Sequence, residues 1–388
     1  MNFDLLDYKN CIANLPNSVL KKFGVETVGD SLSIADKYLE KNYKNIVVLL
    51  LDGMGTHILE KNLNKDGFFR SNLVETYKSV YPPTTVAATT SIDSGRLPIE
   101  HAWLGWDCYY PQVDKNVTVF LNTEQGTNNP VSESSVANKY CGYESICNKL
   151  LDSGHKAYYA TPFEAPYPSN IDEICNRVVS LCEEEGDKYI YAYWNEPDTT
   201  MHKYGCYCSE TKDMLAKLEK RVQKMSEQLE DTLLIVTADH GHVDGRNVCI
   251  KDYPEILECL ERLPSIEPRT LNLFVKEGKD MQFKNAFAKA FGDDYILLTK
   301  SEVYESGLFG TASMHPNVDG MIGDYVAIAI SDLTVFNTRE EAEGFKGVHA
   351  GYTKEEMDIP FIVVESENIL LGGYEYGRTV FDFNGRFG

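Results

Sequence analysis

Three short runs in this chain are almost purely apolar, and each ends in an acidic turn. "NIVVLLL" (45–51) runs into Asp52, "KYIYAYW" (188–194) leads to Asp198, and "TLLIVTA" (232–238) runs into Asp239. Short continuous runs of branched and aromatic residues read as strands of a parallel sheet, buried on both faces by helices. Helical patterns fill the intervals. "YESICNKLLDSG" (143–154) and "NIDEICNRVVSLCEEEG" (170–186) read as helices ending on glycine, with "HKAYYAT" (155–161) as a strand between them. Residues 208–229 place Met214, Leu215, Leu218, Val222 and Met225 at helical spacing. Alternating strands and helices predict an α/β fold: a mostly parallel central sheet with helices on both faces. In such sheets ligands bind beyond the carboxyl ends of the strands, so the acidic turns should converge on one site.

Beyond about residue 247 the texture changes. "RTLNLFVKEG", "FKNAFAKAFG" and "DYVAIAISD" suggest a smaller α+β lobe, and "IPFIVVE" (359–365) reads as a last strand of the main sheet. The expected organisation is a catalytic core over 1–246, an inserted lobe over 247–338, and a return to the core over 339–388 that carries His349.

A net charge of −22 over 388 residues argues against stable nucleic-acid binding, which needs a cationic surface. It leaves room for a small anionic substrate, because bound metals invert the local field. The N-terminus has no long apolar segment, and "IVVLLL" (46–51) is too short to span a bilayer. The ten cysteines are scattered without a CxxC pair, as expected of reduced thiols in a cytoplasmic protein. The sequon Asn116-Val117-Thr118 is read as chance.

The chemistry gathers at the strand ends. Asp52 alone reads equally as an Asx turn. Asp198 with His202 one helical turn later reads as a helix cap and a surface histidine. "DHGH" (239–242) is harder to explain, because buried polar groups without partners cost several kcal/mol. Together with His349 in a glycine-flanked loop, these carboxylates and imidazoles form a ligand set suited to zinc or similar ions. "YPPTTVAATTS" (81–91) then draws attention. Pro83 suits a helix start, and a helix N-terminus favours an anionic group. Thr84 or Thr85 can serve there as a simple N-cap, or as a hydroxyl nucleophile activated by a metal.

In this order the motifs resemble the alkaline phosphatase superfamily, and most closely its type I phosphodiesterase/nucleotide pyrophosphatase family, from about Ile46 to His349 and the following strand. The resemblance implies two divalent ions, Zn2+ or alternatively Mn2+, about 4 Å apart around an in-line displacement at phosphorus. It implies that Asp52, Thr85, Asp239 and His240 bind one ion, and Asp198, His202 and His349 the other. It also implies that Thr85, ten residues before Gly95, is the nucleophile and forms a phospho-threonine. His101 falls at the family's "HG" histidine, with Ala102 replacing the glycine.

Two departures shape the expectation. The family's phosphoryl-binding Asn is missing, and its place reads Trp106 then Asp107, which leaves the backbone N–H of Thr85 or Val86 as donor. Val86 stands where phosphomonoesterases carry a phosphate-gripping Arg, and that favours a diester. Trp103, Trp106, Tyr109 and Tyr110 form an aromatic cluster that could stack a flat group or simply pack. Trp106 and His242 are the expected substrate contacts, His242 equally a support for a ligand, and His315 is structural. The expected activity is phosphodiester hydrolysis of a small phosphate-ester or nucleotide-like substrate. A phosphonoacetate hydrolase-like C–P hydrolase, a phosphomonoesterase and an inactive metal-stabilised binding protein are the alternatives.

Overall fold

A computed structural model of the chain describes residues 3–366. The apolar runs are strands, as their composition requires: Asn45–Leu51, Lys188–Trp194 and Thr232–Thr237. Every residue of Asn45–Leu51 and Thr232–Thr237 is buried, so both faces of the sheet are covered. The main sheet has six strands in the order Leu73–Lys78, Asp358–Ser366, Thr232–Thr237, Asn45–Leu51, Lys188–Trp194, Lys156–Ala160. The last four run parallel, and Asp358–Ser366 is antiparallel to both of its neighbours. The helices Ile146–Asp152, Ile171–Glu183 and Ser209–Ser226 fall inside the expected spans. Ser145 and Asn170 cap the first two with side-chain oxygens that accept from Asn148 and Glu173 N–H.

The reversed last strand matters for the site. Asp358 enters the sheet beyond Thr237, at the edge where the parallel strands leave it, so the loop before it carries His349 to the same edge as Asp52 and Asp239.

A second sheet of seven strands lies outside this core, in the order Tyr295–Thr299, Tyr325–Ala329, Thr270–Leu273, Ser265–Glu267, Asp107–Tyr110, Lys115–Thr118, Thr123–Glu124. All its pairings are antiparallel. The sheet therefore crosses the boundary expected between residues 246 and 247, because three of its strands come from 107–124. Those strands are short and mixed in polarity, and they join the lobe through the single pairing of Ile266 with Asp107. Two small pairs stand where the chain enters and leaves the lobe: Val243–Asp244 antiparallel with Gly347–Val348, and Arg246–Cys249 parallel with Leu333–Phe336. Of the expected return segment, residues 367–388 lie outside the described residues.

Asn116 of the sequon is buried and donates to Gln125 and Leu263. Its amide is engaged inside the second sheet.

Candidate active site

Three parallel strands deliver three carboxylates to one sheet edge. Asp52 follows its strand directly, and the turn closes through Gly53, whose φ of +72° is a left-handed conformation natural to glycine. The Gly53 N–H donates to Asp239 Oδ1 at 3.0 Å, which locks the first turn to the third. Asp198 opens the helix Asp198–Tyr204, and His202 stands on its next turn. At Gly241 a Cβ would collide with the Glu355 carbonyl, so only glycine lets the DHGH turn lie against that backbone.

Each of three histidines is held the same way. Nδ1 of His202 faces the Gly347 carbonyl at 2.8 Å, that of His240 the Gly241 carbonyl at 3.0 Å, and that of His349 the Pro83 carbonyl at 3.3 Å. A carbonyl can only accept, so each Nδ1 carries a proton and Nε2 is left as the atom that can meet a metal. This is how proteins orient imidazoles as metal ligands. His202 Nε2 lies 3.2 Å and His349 Nε2 3.8 Å from Asp198 Oδ1. His240 Nε2 lies 3.3 Å from Asp52 Oδ1 and 3.6 Å from Asp239 Oδ2.

The electrostatics call for positive charge. Asp52 and Asp239 are buried, and Asp198 is 14% exposed in its side chain. Among the described residues, the ion pairs of all three are with histidines. Burial, and then the neighbouring Asp52, hold the Asp239 carboxyl well above the usual range. Its Oδ2 is buried with no hydrogen-bond partner. Burial disfavours a charged His240, yet Asp239 and Asp52 outweigh it and hold the imidazole up at about 10. Two sets of ligand atoms lie within 4.8 Å of one another: Asp198, His202, His242 and His349, and Asp52, Asp198 and His240. Oriented Nε2 atoms, an orphaned carboxylate oxygen and uncompensated negative charge fit divalent cations.

Thr85 is the first residue of the helix Thr85–Ser94. Its Oγ1 lies 3.4 Å from both Asp52 oxygens and 3.3 Å from His240 Nε2. Thr84 is the N-cap by position, and Pro83 stands one residue before it, outside the helix. The Thr84 hydroxyl does not cap: it donates to Glu267 Oε1 at 2.6 Å. The first N–H groups of the helix are left without a side-chain cap, beside the Thr85 hydroxyl.

A cavity of about 270 Å³ opens next to Thr85, lined by Trp106, Asp198, His202, Glu267, Phe345 and His349 among others. Of the two expected substrate contacts, Trp106 lines it. His242 does not: it is fully buried behind Asp198, with Nε2 2.7 Å from Asp198 Oδ1. The aromatic cluster disperses. Trp103 and Tyr110 are buried, Tyr109 packs against Arg262, and only Trp106 reaches the cavity. His101 is buried, accepts at Nδ1 from the Trp103 N–H and faces Ser91 Oγ with Nε2, so it braces the turn that carries Trp106. His315 stabilises its own turn by accepting from the Asn317 N–H. Two residues had no sequence signal. Tyr193, inside an apolar strand, donates to Asp52 Oδ2. Glu267, in a strand of the lobe, reaches the nucleophile loop, and burial pushes its carboxyl up to about 7.

A family model for type I phosphodiesterase/nucleotide pyrophosphatase matches residues 46–352. Ectonucleotide pyrophosphatase/phosphodiesterase family member 7 of Rattus norvegicus is 33% identical over 84 residues, and the Mus musculus protein matches equally. That segment is 20% of this chain and only 18% of those relatives. The structure of murine ectonucleotide pyrophosphatase/phosphodiesterase 5 is similar with a TM-score of 0.65 at 16% identity, covering 83% of this chain and 88% of that one. Phosphonoacetate hydrolase from Sinorhizobium meliloti 1021, in complex with phosphonoformate, gives 0.61 at 16% identity over 82% and 89%. At these identities the structures speak for a shared fold. The family model spans every strand-end turn of the site as well as Thr85, and the chain belongs to the type I phosphodiesterase/nucleotide pyrophosphatase family.

Proposed function

We propose that this chain is a two-metal phosphoric diester hydrolase with Thr85 as its nucleophile. The seat of Thr85 carries the reading: a hydroxyl at an uncapped helix start, in contact with Asp52 and His240. Asp52, Thr85, Asp239 and His240 would hold one cation and Asp198, His202 and His349 the other. Two zinc or manganese ions so held supply Lewis-acid charge to the nucleophile and the leaving oxygen.

The residues then divide the work. Asp52 takes the Thr85 proton, and Thr85 Oγ1 attacks phosphorus in line with the departing alkoxide. The new Oγ1–P bond forms as the ester P–O bond breaks. Free N–H groups of Thr85 and Val86 face a phosphoryl oxygen, a role open to them because Thr84 is engaged with Glu267. Water attack on the phospho-threonine releases the monoester and restores Thr85. Among the described residues no lysine or arginine lines the cavity, which suits a singly charged diester better than a monoester dianion. The same absence counts against a C–P hydrolase reading, whose substrate adds a carboxylate. A small phosphate ester remains the substrate class, and an inactive form of murine ectonucleotide pyrophosphatase/phosphodiesterase 5 was solved in complex with AMP.

The test compares bis-p-nitrophenyl phosphate with p-nitrophenyl phosphate, with bound metal measured in parallel. Diester turnover should dominate, and Thr85→Ala should lower it roughly a thousandfold or more while metal is retained. A near-native diesterase rate in Thr85→Ala, or a preference for the monoester, would refute the proposal.

A further inference from the structure

We propose that Tyr81 and Thr270 are positioning residues for His349: a relay of two buried hydroxyls holds the backbone beside it in a left-handed turn that presents the imidazole to Asp198 and His202. This rests on the reading of His349 as a metal ligand above. The relay has one possible direction. Thr270 Oγ1 lies 2.6 Å from the Ala350 carbonyl and 2.6 Å from the Tyr81 hydroxyl. A carbonyl can only accept, so the Thr270 proton points to Ala350, and Tyr81 donates to the Thr270 oxygen. Tyr81, Thr270 and Ala350 are all 0% exposed, so these groups depend on one another for partners.

The carbonyl held by Thr270 belongs to a strained residue. Ala350 has a φ of +79°, a left-handed conformation that alanine adopts only at a cost. It directly follows His349, so this turn sets the direction in which the imidazole leaves the backbone. Such strain persists where the surroundings fix it. The second sheet does the fixing. Besides Thr270, its strand residue Ala329 accepts from the Tyr352 N–H at 2.7 Å. Tyr81 adds the link to the nucleophile. Its ring contacts Phe309 at 6.2 Å and Tyr352 at 5.9 Å, and two residues further on the Pro83 carbonyl faces His349 Nδ1 at 3.3 Å. The segment that leads to Thr85 therefore holds the ligand loop at two points, one through the backbone at Ala350 and one through the imidazole.

The test titrates the full chain with Zn2+ in competition with a chelating dye. In Thr270→Val, a near isostere without the hydroxyl, one of the two ions should bind roughly 10- to 100-fold more weakly while the other keeps its affinity. Thr270→Ser keeps the hydroxyl and should stay within about threefold of wild type. Adding Ala350→Gly to Thr270→Val should recover about fivefold or more, because glycine holds a positive φ without support. A merely structural role would weaken both ions alike and gain nothing from the glycine. Tyr81→Phe keeps the ring contacts and should weaken the same ion by about threefold or more, which decides the matter should Thr270→Val fold poorly. A second readout needs no metal: amide exchange across residues 349–352 should be about tenfold faster in Thr270→Val than in wild type. Unchanged exchange, equal weakening of both ions, no recovery with Ala350→Gly, or a Thr270→Ser as damaging as Thr270→Val would overturn the proposal. Zn2+ uptake without diester cleavage would sink the catalytic reading and leave the relay standing on binding and exchange.

Discussion

Arg269 and Glu356 form an ion pair whose side chains are both 0% exposed, and removing one partner should be among the most damaging single changes in the protein. Arg269 joins two strands of the second sheet, and Glu356 lies in the helix Lys354–Met357 that leads into the last strand of the main sheet. The guanidinium donates Nε to Oε1 at 2.6 Å and Nη2 to Oε2 at 2.8 Å. It also reaches the carbonyls of Leu333 and Ser331 and the Thr334 hydroxyl. Glu356 in turn accepts from the Gly351 N–H and the Thr353 hydroxyl, so it anchors the loop that carries His349. Arg269→Met leaves that carboxylate buried without a countercharge, at a cost of about 3–5 kcal/mol. Adding Glu356→Gln removes the stranded charge, and the double variant should be roughly 1–3 kcal/mol more stable than the sum of the single losses. Urea unfolding of wild type, both single variants and the double variant measures the cycle. A loss below about 1 kcal/mol in Arg269→Met, or additive losses within about 0.5 kcal/mol, would show that the pair does not join the two sheets energetically.

Two further outcomes are expected. His242→Ala should weaken metal retention by roughly 10- to 100-fold, read by competition with a chelating dye, because His242 holds Asp198 Oδ1 at 2.7 Å. Burial depresses the pKa of His101 from 6.5 to about 3, so the folded state keeps the ring neutral where the unfolded chain takes up a proton. Stability is then full above about pH 6.5 and falls by roughly 1.4 kcal/mol per pH unit below it, down toward pH 3. His101→Gln should flatten this part of the acid-unfolding curve, and an unchanged slope would contradict the assignment.

Much of the core was legible because strand and helix periods are local properties. Asn45–Leu51 and Lys188–Trp194 begin and end where their largely apolar runs do, since a strand covered on both faces is apolar along most of its length, and the polar residues that start them, Asn45 and Lys188, bond to each other. The acidic turns were legible for the same reason: a charged residue after such a run marks the point where the chain leaves the sheet. The lobe was harder to read. Asp107–Tyr110 and Ser265–Glu267 are short and polar, and their pairing bridges a long stretch of sequence that no local pattern records.

The same division holds at the site. By itself the sequence marked the candidate metal ligands and the hydroxyls, Thr84 and Thr85, that could serve as a nucleophile, because those depend on residue type, order and spacing. Tertiary structure alone decided what surrounds them. It set the antiparallel entry that brings His349 to the shared edge, the burial of His242 behind Asp198, and the capture of the Thr84 hydroxyl by Glu267. These contacts join residues far apart in the chain, and only the folded arrangement of strands and loops brings them within hydrogen-bonding distance.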